Sequence, residues 1–346
     1  MPIRRLRLVV VALVVALAAS IPGAPTSPAI SYVALGDSYS SGTGTREYLA
    51  DGTNCRRSPY AYPPLIASAA GYALNFRACS GASISDVVTT QLDALGPTTS
   101  LVSLSVGGND ASFVAVLTEC AKPAWMSNCN AAIDRAQSVI THQLPGGLAS
   151  LYAQIRTRAP QASVTIAGYP RIFNGEDCNA GTWFSPAEQV RLDATADLLN
   201  STTATAAAAA GFTFRDPTTA FTGHAVCDDV EWLNGLSNPI PDSYHPNRTG
   251  HAAGFVPLIG ASFAGSRISV TRATLQAAES SAPALARQQS AYAARDAAIT
   301  PQEFVLPDLE GPAARAAAAR AGVDLEDPAS IQRADRAAED RQNAGR

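Results

Sequence analysis

The chain has no surplus of positive charge. Its 25 Lys and Arg residues stand against 29 Asp and Glu, a formal net charge of −4. Domains that bind nucleic acid are usually basic, so a nucleic-acid partner is not expected. No C-x-x-C occurs, and the six cysteines (Cys55, Cys79, Cys120, Cys129, Cys178 and Cys227) are scattered. That excludes the paired spacing of structural zinc sites, and no metal is expected. Long apolar runs are nearly absent. The one present, residues 8–19, falls short of the roughly 20 residues that cross a bilayer. Histidine is scarce too, with His142, His224, His245 and His251 the only four, which narrows the search for a general base.

The single apolar run sits where export would put it. Arg4, Arg5 and Arg7 precede it, and "SIPGAPTSPA" follows with small residues and prolines. This is the order of a secretory signal peptide. We expect a leader over residues 1–29, cleaved between residues 18 and 29, and an extracellular mature protein with no integral span; an uncleaved anchor is the alternative. An even number of cysteines behind a leader favours disulfides. Six cysteines permit 15 pairings, so their spacing leaves the connectivity open. Nearest-neighbour pairing would join Cys55–Cys79, Cys120–Cys129 and Cys178–Cys227.

The 346 residues, 47% hydrophobic and 16% charged, suffice for one substantial core. From residue 30 to 266 short apolar runs alternate with helical patterns. "SYVALG", "ALNFRAC", "TSLVSLSVGG", "ASVTIAGYP" and "FTFRDPT" read as strands. Between them lie helical stretches, one opening at Ser83 as a possible N-cap, one broken near Pro145, one ended by Gly211, and a last one containing Pro257. This rhythm predicts an α/β fold with a mostly parallel sheet between helices. Functional groups of such sheets gather beyond the carboxyl ends of the strands. Residues 267–346 differ: rich in Ala and Arg, poor in large apolar residues and without cysteine. They read as a helical or disordered extension outside the main core.

Ser38 lies just past the first predicted strand, in "YVALGDSYSSGTG". A serine hydroxyl needs a base within hydrogen-bond reach to act as a nucleophile. His142 falls in a helical pattern, His224 in a loop beside Cys227, and His251 in the final helix. His245, in "IPDSYHPN", is the remaining candidate, with Asp242 three residues upstream and able to turn back to its ring. An oxyanion needs preorganised N–H donors. "CSGAS" and "SVGGND" each end a predicted strand and offer Gly81 and Asn109, while Ser38 has its own N–H. Asp37 is expected to brace the loop, not to do chemistry.

In their order, these blocks resemble the SGNH, or GDSL-like, hydrolase family. "GDSYS" is similar to the nucleophile block, with Tyr39 where the family name has leucine; "CSGA", "GGND" and "DSYH" resemble the other three. The likeness spans roughly residues 30 to 265 and says nothing of the extension. It implies a three-layer α/β/α fold, with Ser38 as nucleophile, His245 as base and then acid, and Asp242 orienting His245. It also implies an oxyanion hole of Ser38, Gly81 and Asn109, and three sequential disulfides as in secreted actinobacterial members. Some of that branch orient the histidine with a backbone carbonyl instead. The G-x-S-x-G elbow of a rival serine-hydrolase fold occurs nowhere.

The resemblance implies a serine carboxylic-ester hydrolase working by two-step acyl transfer without a cofactor. Lipid-like esters are the expected substrates and the catalytic domain is expected to be monomeric. The alternatives are a carbohydrate acetyl esterase, a phospholipase, or a binding protein that keeps the fold. Phe113, Val116, Leu117, Trp125, Met126, Trp183 and Phe184 are apolar residues available either to an acyl groove or to the core.

Overall fold

The computed structural model describes residues 29–344; the expected leader, but for Ala29, lies outside the described residues. Five short strands form the centre: β1 (Ser31–Gly36), β2 (Ala73–Phe76), β3 (Leu101–Ser105), β4 (Ser163–Ala167) and β5 (Thr213–Arg215). Every pairing is parallel, in the order β2-β1-β3-β4-β5. β1 and β3 are buried almost end to end, as expected of strands covered on both faces.

The one-turn helix α1 (Ser38–Ser41) follows β1 directly. On one face of the sheet lie α2 (Tyr62–Ala70), α8 (Val256–Ala264), entered through a π-helical turn over Gly250–Phe255, and α9 (Arg272–Ser290). The other face carries α3 (Ile84–Asp86, running on to Ala94), α4 (Phe113–Cys120), α5 (Cys129–His142), α6 (Leu144–Arg158) and α7 (Pro186–Ala209). The three-layer expectation is borne out.

Local chemistry sets many boundaries. Ser83 and Ser185 each close a capping box, with Asp86 and Glu188 respectively. Pro145, in the first turn of α6, marks the break between α5 and α6. The helix α4 was not anticipated; Ser112, at φ 57°, turns the chain into it from the end of the "GGND" loop. The cysteines form Cys55–Cys79, Cys120–Cys129 and Cys178–Cys227, the sequential pairing that the resemblance implies.

The extension behaves differently from the expectation of a segment outside the core. It is helical, with α9 continuing through α10 (Ala293–Asp296), α11 (Pro312–Ala321) and α12 (Pro328–Ala344). Yet Ala278, Leu285, Ile299 and Phe304 join the main hydrophobic core. Asp296 enters a charged cluster that is fully buried: its carboxylate meets Arg57 at 2.6 Å and Arg77 at 3.1 Å, while Asp51 meets Arg57 at 2.8 Å. Gln289 accepts a further bond from Arg77. Large apolar residues are few here, so these polar ties add to the apolar contacts in holding the extension, and hydrophobic patterning does not register them. Among the described residues, no helix is long and apolar enough to cross a membrane.

Candidate active site

In this strand order the chain reverses direction across the sheet between β1 and β3, and ligands bind beyond the strand ends at such a switch point. Ser38 follows β1, Gly81 follows β2 and Asn109 follows β3. A close approach fixes the end of β1. Gly36 has φ +120°, and a Cβ there would lie 2.3 Å from the Ser105 carbonyl oxygen. The Gln91 amide satisfies both backbone groups of Gly36, donating at 2.9 Å and accepting at 2.7 Å. The strand therefore stops where Asp37 and Ser38 begin.

Asp37 caps α1 by accepting the Tyr39 N–H. It also accepts the Ser105 hydroxyl at 2.7 Å and the Tyr169 hydroxyl. Burial pushes its carboxyl up to about 6 despite these three donors. The bracing expected of Asp37 is what its contacts describe. Tyr169, which follows β4, also accepts a bond from the Gly108 N–H at 3.3 Å.

Ser38 is buried at the first position of α1. Its hydroxyl oxygen lies 2.9 Å from His245 Nε2. The opposite ring nitrogen, Nδ1, lies 2.8 Å from the carbonyl oxygen of Ser243. A carbonyl only accepts, so Nδ1 carries the proton and Nε2 presents a lone pair to the serine hydroxyl. Burial pushes the ring down to about 4, partly offset by the Ser243 bond and the nearby Asp242 charge.

The expected orienting contact from Asp242 is absent, which corrects the triad reading. Asp242 is fully buried and accepts a bond from the Tyr48 hydroxyl, while its second carboxylate oxygen has no hydrogen-bond partner. The backbone explains the change. Tyr244 adopts φ 58°, in the left-handed region, and this turn brings the Ser243 carbonyl under the ring in place of the carboxylate. Asn234 holds the turn: its side-chain amide donates to the carbonyls of Gly44, Asp242 and His245, at 2.9, 3.2 and 3.1 Å. The Tyr39 hydroxyl donates to the Tyr244 carbonyl at 3.0 Å and ties the Ser38 turn to the His245 loop. Sequence reasoning did not find Asn234, Tyr48, Gln91 or Tyr169, since each acts through a distant segment.

Ser38 and Gly81 stand at adjacent strand ends, and their backbone N–H groups have no hydrogen-bond partner among the described residues. Asn109 donates one amide hydrogen to the Ala82 carbonyl at 3.0 Å, which fixes the side chain and leaves its second hydrogen available. The Asp110 carboxylate accepts the Ile84 N–H and joins the "GGND" loop to the start of α3. The other three histidines stand apart. His142 is exposed at the end of α5, His224 stacks on Trp232, and His251 is buried with its Nδ1 accepting the Tyr62 N–H.

A cleft opens over Ser38 and His245. Phe113, Val114, Leu117, Ile172 and Leu199 form its apolar walls. Of the apolar residues noted in the sequence, Phe113 and Leu117 line it, while Val116 and Phe184 are core residues outside its lining. Trp125, Met126 and Trp183 do not line it either.

Comparison with known proteins follows the same outline. Residues 34–253 match the GDSL-like lipase/acylhydrolase family. "Lipase 1" of Streptomyces coelicolor is 40% identical over 267 residues, covering 74% of this chain and 98% of that protein. Two solved structures are similar: an extracellular lipase from Streptomyces rimosus (40% identity, TM-score 0.63) and a phospholipase A1 from Streptomyces albidoflavus (43% identity, TM-score 0.64). Each is covered completely by 68% of this chain. The chain therefore belongs to the GDSL-like lipase/acylhydrolase family and is a carboxylic ester hydrolase.

Proposed function

We propose that the protein is a secreted serine hydrolase of lipid-like esters, phospholipids included, in which Ser38 and His245 act as a pair and the Ser243 carbonyl orients the base. The contact between Ser38 Oγ and His245 Nε2 carries this reading. The apolar cleft above the pair supports an acyl substrate. The names of the lipase and phospholipase relatives agree, and three disulfides fit an oxidising compartment.

The reaction takes two steps. His245 Nε2 removes the Ser38 proton as Oγ attacks the ester carbonyl carbon. The developing oxyanion is met by the N–H groups of Ser38 and Gly81 and the Asn109 amide. The imidazolium then gives its proton to the leaving alkoxide, and the acyl group stays on Ser38. Water, deprotonated by His245, attacks the acyl-serine and releases the acid. Asp242 helps through its charge and by anchoring the base loop to Tyr48.

The test is hydrolysis of p-nitrophenyl esters from acetyl to palmitoyl by the purified protein, with Ser38→Ala beside it. The expected result is turnover that favours octanoyl or longer esters and disappears in a folded Ser38→Ala protein. Turnover that survives Ser38→Ala overturns the nucleophile, and a strict preference for acetyl overturns the lipid assignment.

A further inference from the structure

The C-terminal extension reaches the active site. After α10, residues 300–306 run without helix or strand past the cleft, and Gln302 and Phe304 line it beside Ser38, Tyr244 and His245. Phe304 is buried and packs edge-on against Tyr244, with ring centroids 4.9 Å apart. The intervening Glu303 turns outward to Arg56 at 2.6 Å.

The strap is fastened along its length. Asp296, just upstream, is locked to Arg57 and Arg77. Pro301 sits directly on Gly81, where a Cβ would lie 2.4 Å from the Pro301 Cα. Gly81 also has φ +87°, so the position excludes a side chain on two grounds. Beyond Phe304, the Val305 N–H donates to Thr118 Oγ1 on α4 at 3.2 Å. With the strap in place the free space in the cleft is about 50 Å³, small beside the roughly 300–1,000 Å³ of typical ligand pockets. None of this strap falls within residues 34–253, the stretch that matches the family.

We infer that the C-terminal extension is a specificity element, in which Phe304 forms a wall of the acyl cleft and limits the length of acyl chain that this enzyme accepts. The inference rests on the ester-hydrolase reading above. Each methylene that gains a buried site improves binding roughly fourfold. A wall stops that gain at the length where the chain meets it. Removing the ring extends the cleft, and enlarging the ring shortens it.

The experiment compares kcat/KM for butyryl and palmitoyl p-nitrophenyl esters in full-length wild type, Phe304→Ala, Phe304→Leu and Phe304→Trp. Val305→Ala, whose side chain is exposed, serves as the control, and thermal melts establish folding. The palmitoyl-to-butyryl ratio is expected to rise by about tenfold or more in Phe304→Ala, the equivalent of a few newly accommodated methylenes. It should rise less in Phe304→Leu, fall in Phe304→Trp and stay unchanged in Val305→Ala. If Phe304→Ala does not fold, the Leu and Trp variants carry the comparison with opposite expected signs. A ratio unchanged across the folded Phe304 variants, or one moved the other way, overturns the wall. A wild type inactive on every ester overturns the underlying hydrolase reading instead.

Discussion

His245 Nδ1 is 2.8 Å from the carbonyl oxygen of Ser243, two residues earlier in the same loop. The His245 ring therefore takes its orientation from its own backbone, and the carboxylate of Asp242 bonds to Tyr48. A carbonyl fixes the tautomer as well as a carboxylate does, but it brings no full negative charge to stabilise the imidazolium.

That arrangement predicts a mild Asp242→Asn variant. The amide oxygen still accepts the Tyr48 hydroxyl, and the Ser243 bond is untouched. Its kcat should fall by far less than the ~10⁴-fold that follows the same change at a triad aspartate. Steady-state kinetics on a short-chain ester decide the matter, and a loss approaching that size would return the orienting role to the carboxylate.

The acidic limb of the pH profile should lie low. A general base works only when neutral, and burial pushes His245 down to about 4. Activity is therefore retained as pH falls below the ordinary histidine value of about 6.5 and is lost only when the ring protonates. His245 itself should contribute no acidic limb to kcat/KM on a neutral ester between pH 7 and about pH 5, the Asp37 carboxyl near 6 being the group of the site that changes protonation in that range. An acidic limb centred near 6.5 that persists in Asp37→Asn would contradict the environment described for the ring.

Asn109→Ala should reduce kcat by roughly 10²–10³-fold, the usual effect of removing one oxyanion donor. KM should move little, because the donor acts on charge that develops in the transition state. Full activity in this variant would remove Asn109 from the oxyanion hole.

Asp296→Ala should destabilise the whole protein, not only the extension. It leaves Arg77 without its carboxylate and Arg57 with Asp51 alone, inside a cluster with no solvent exposure. Breaking a buried pair in this way costs about 3–5 kcal/mol. The exposed pair Arg295–Asp93 provides the contrast, since Arg295→Ala should cost at most about 1 kcal/mol. Urea unfolding measures both, and equal effects would show that Asp296 does not tie the extension to the core.

Much of the fold and of the candidate site is legible in short stretches of sequence because it is made by local chemistry. The β1 run ending at Gly36, the capping serine Ser83 and the Pro145 break between α5 and α6 all follow from propensity and capping within a few residues. Ser38, Gly81, Asn109 and His245 are visible as blocks because each sits in a strand-end or pre-helix loop with its own turn residues. Tertiary structure alone decided three things. It placed the Ser243 carbonyl, not Asp242, against His245, through the left-handed turn at Tyr244 and the bracing amide of Asn234. It drew the extension into the core by joining Asp296 to Arg57 and Arg77, partners more than 200 residues away whose attraction leaves no periodic trace in the sequence. And it set Phe304, an ordinary phenylalanine in an alanine-rich tail, against Tyr244 in the lining of the cleft. A hydrogen-bond acceptor, a buried charge pair and a pocket wall are each defined by what stands opposite, and chain folding supplies the opposite side.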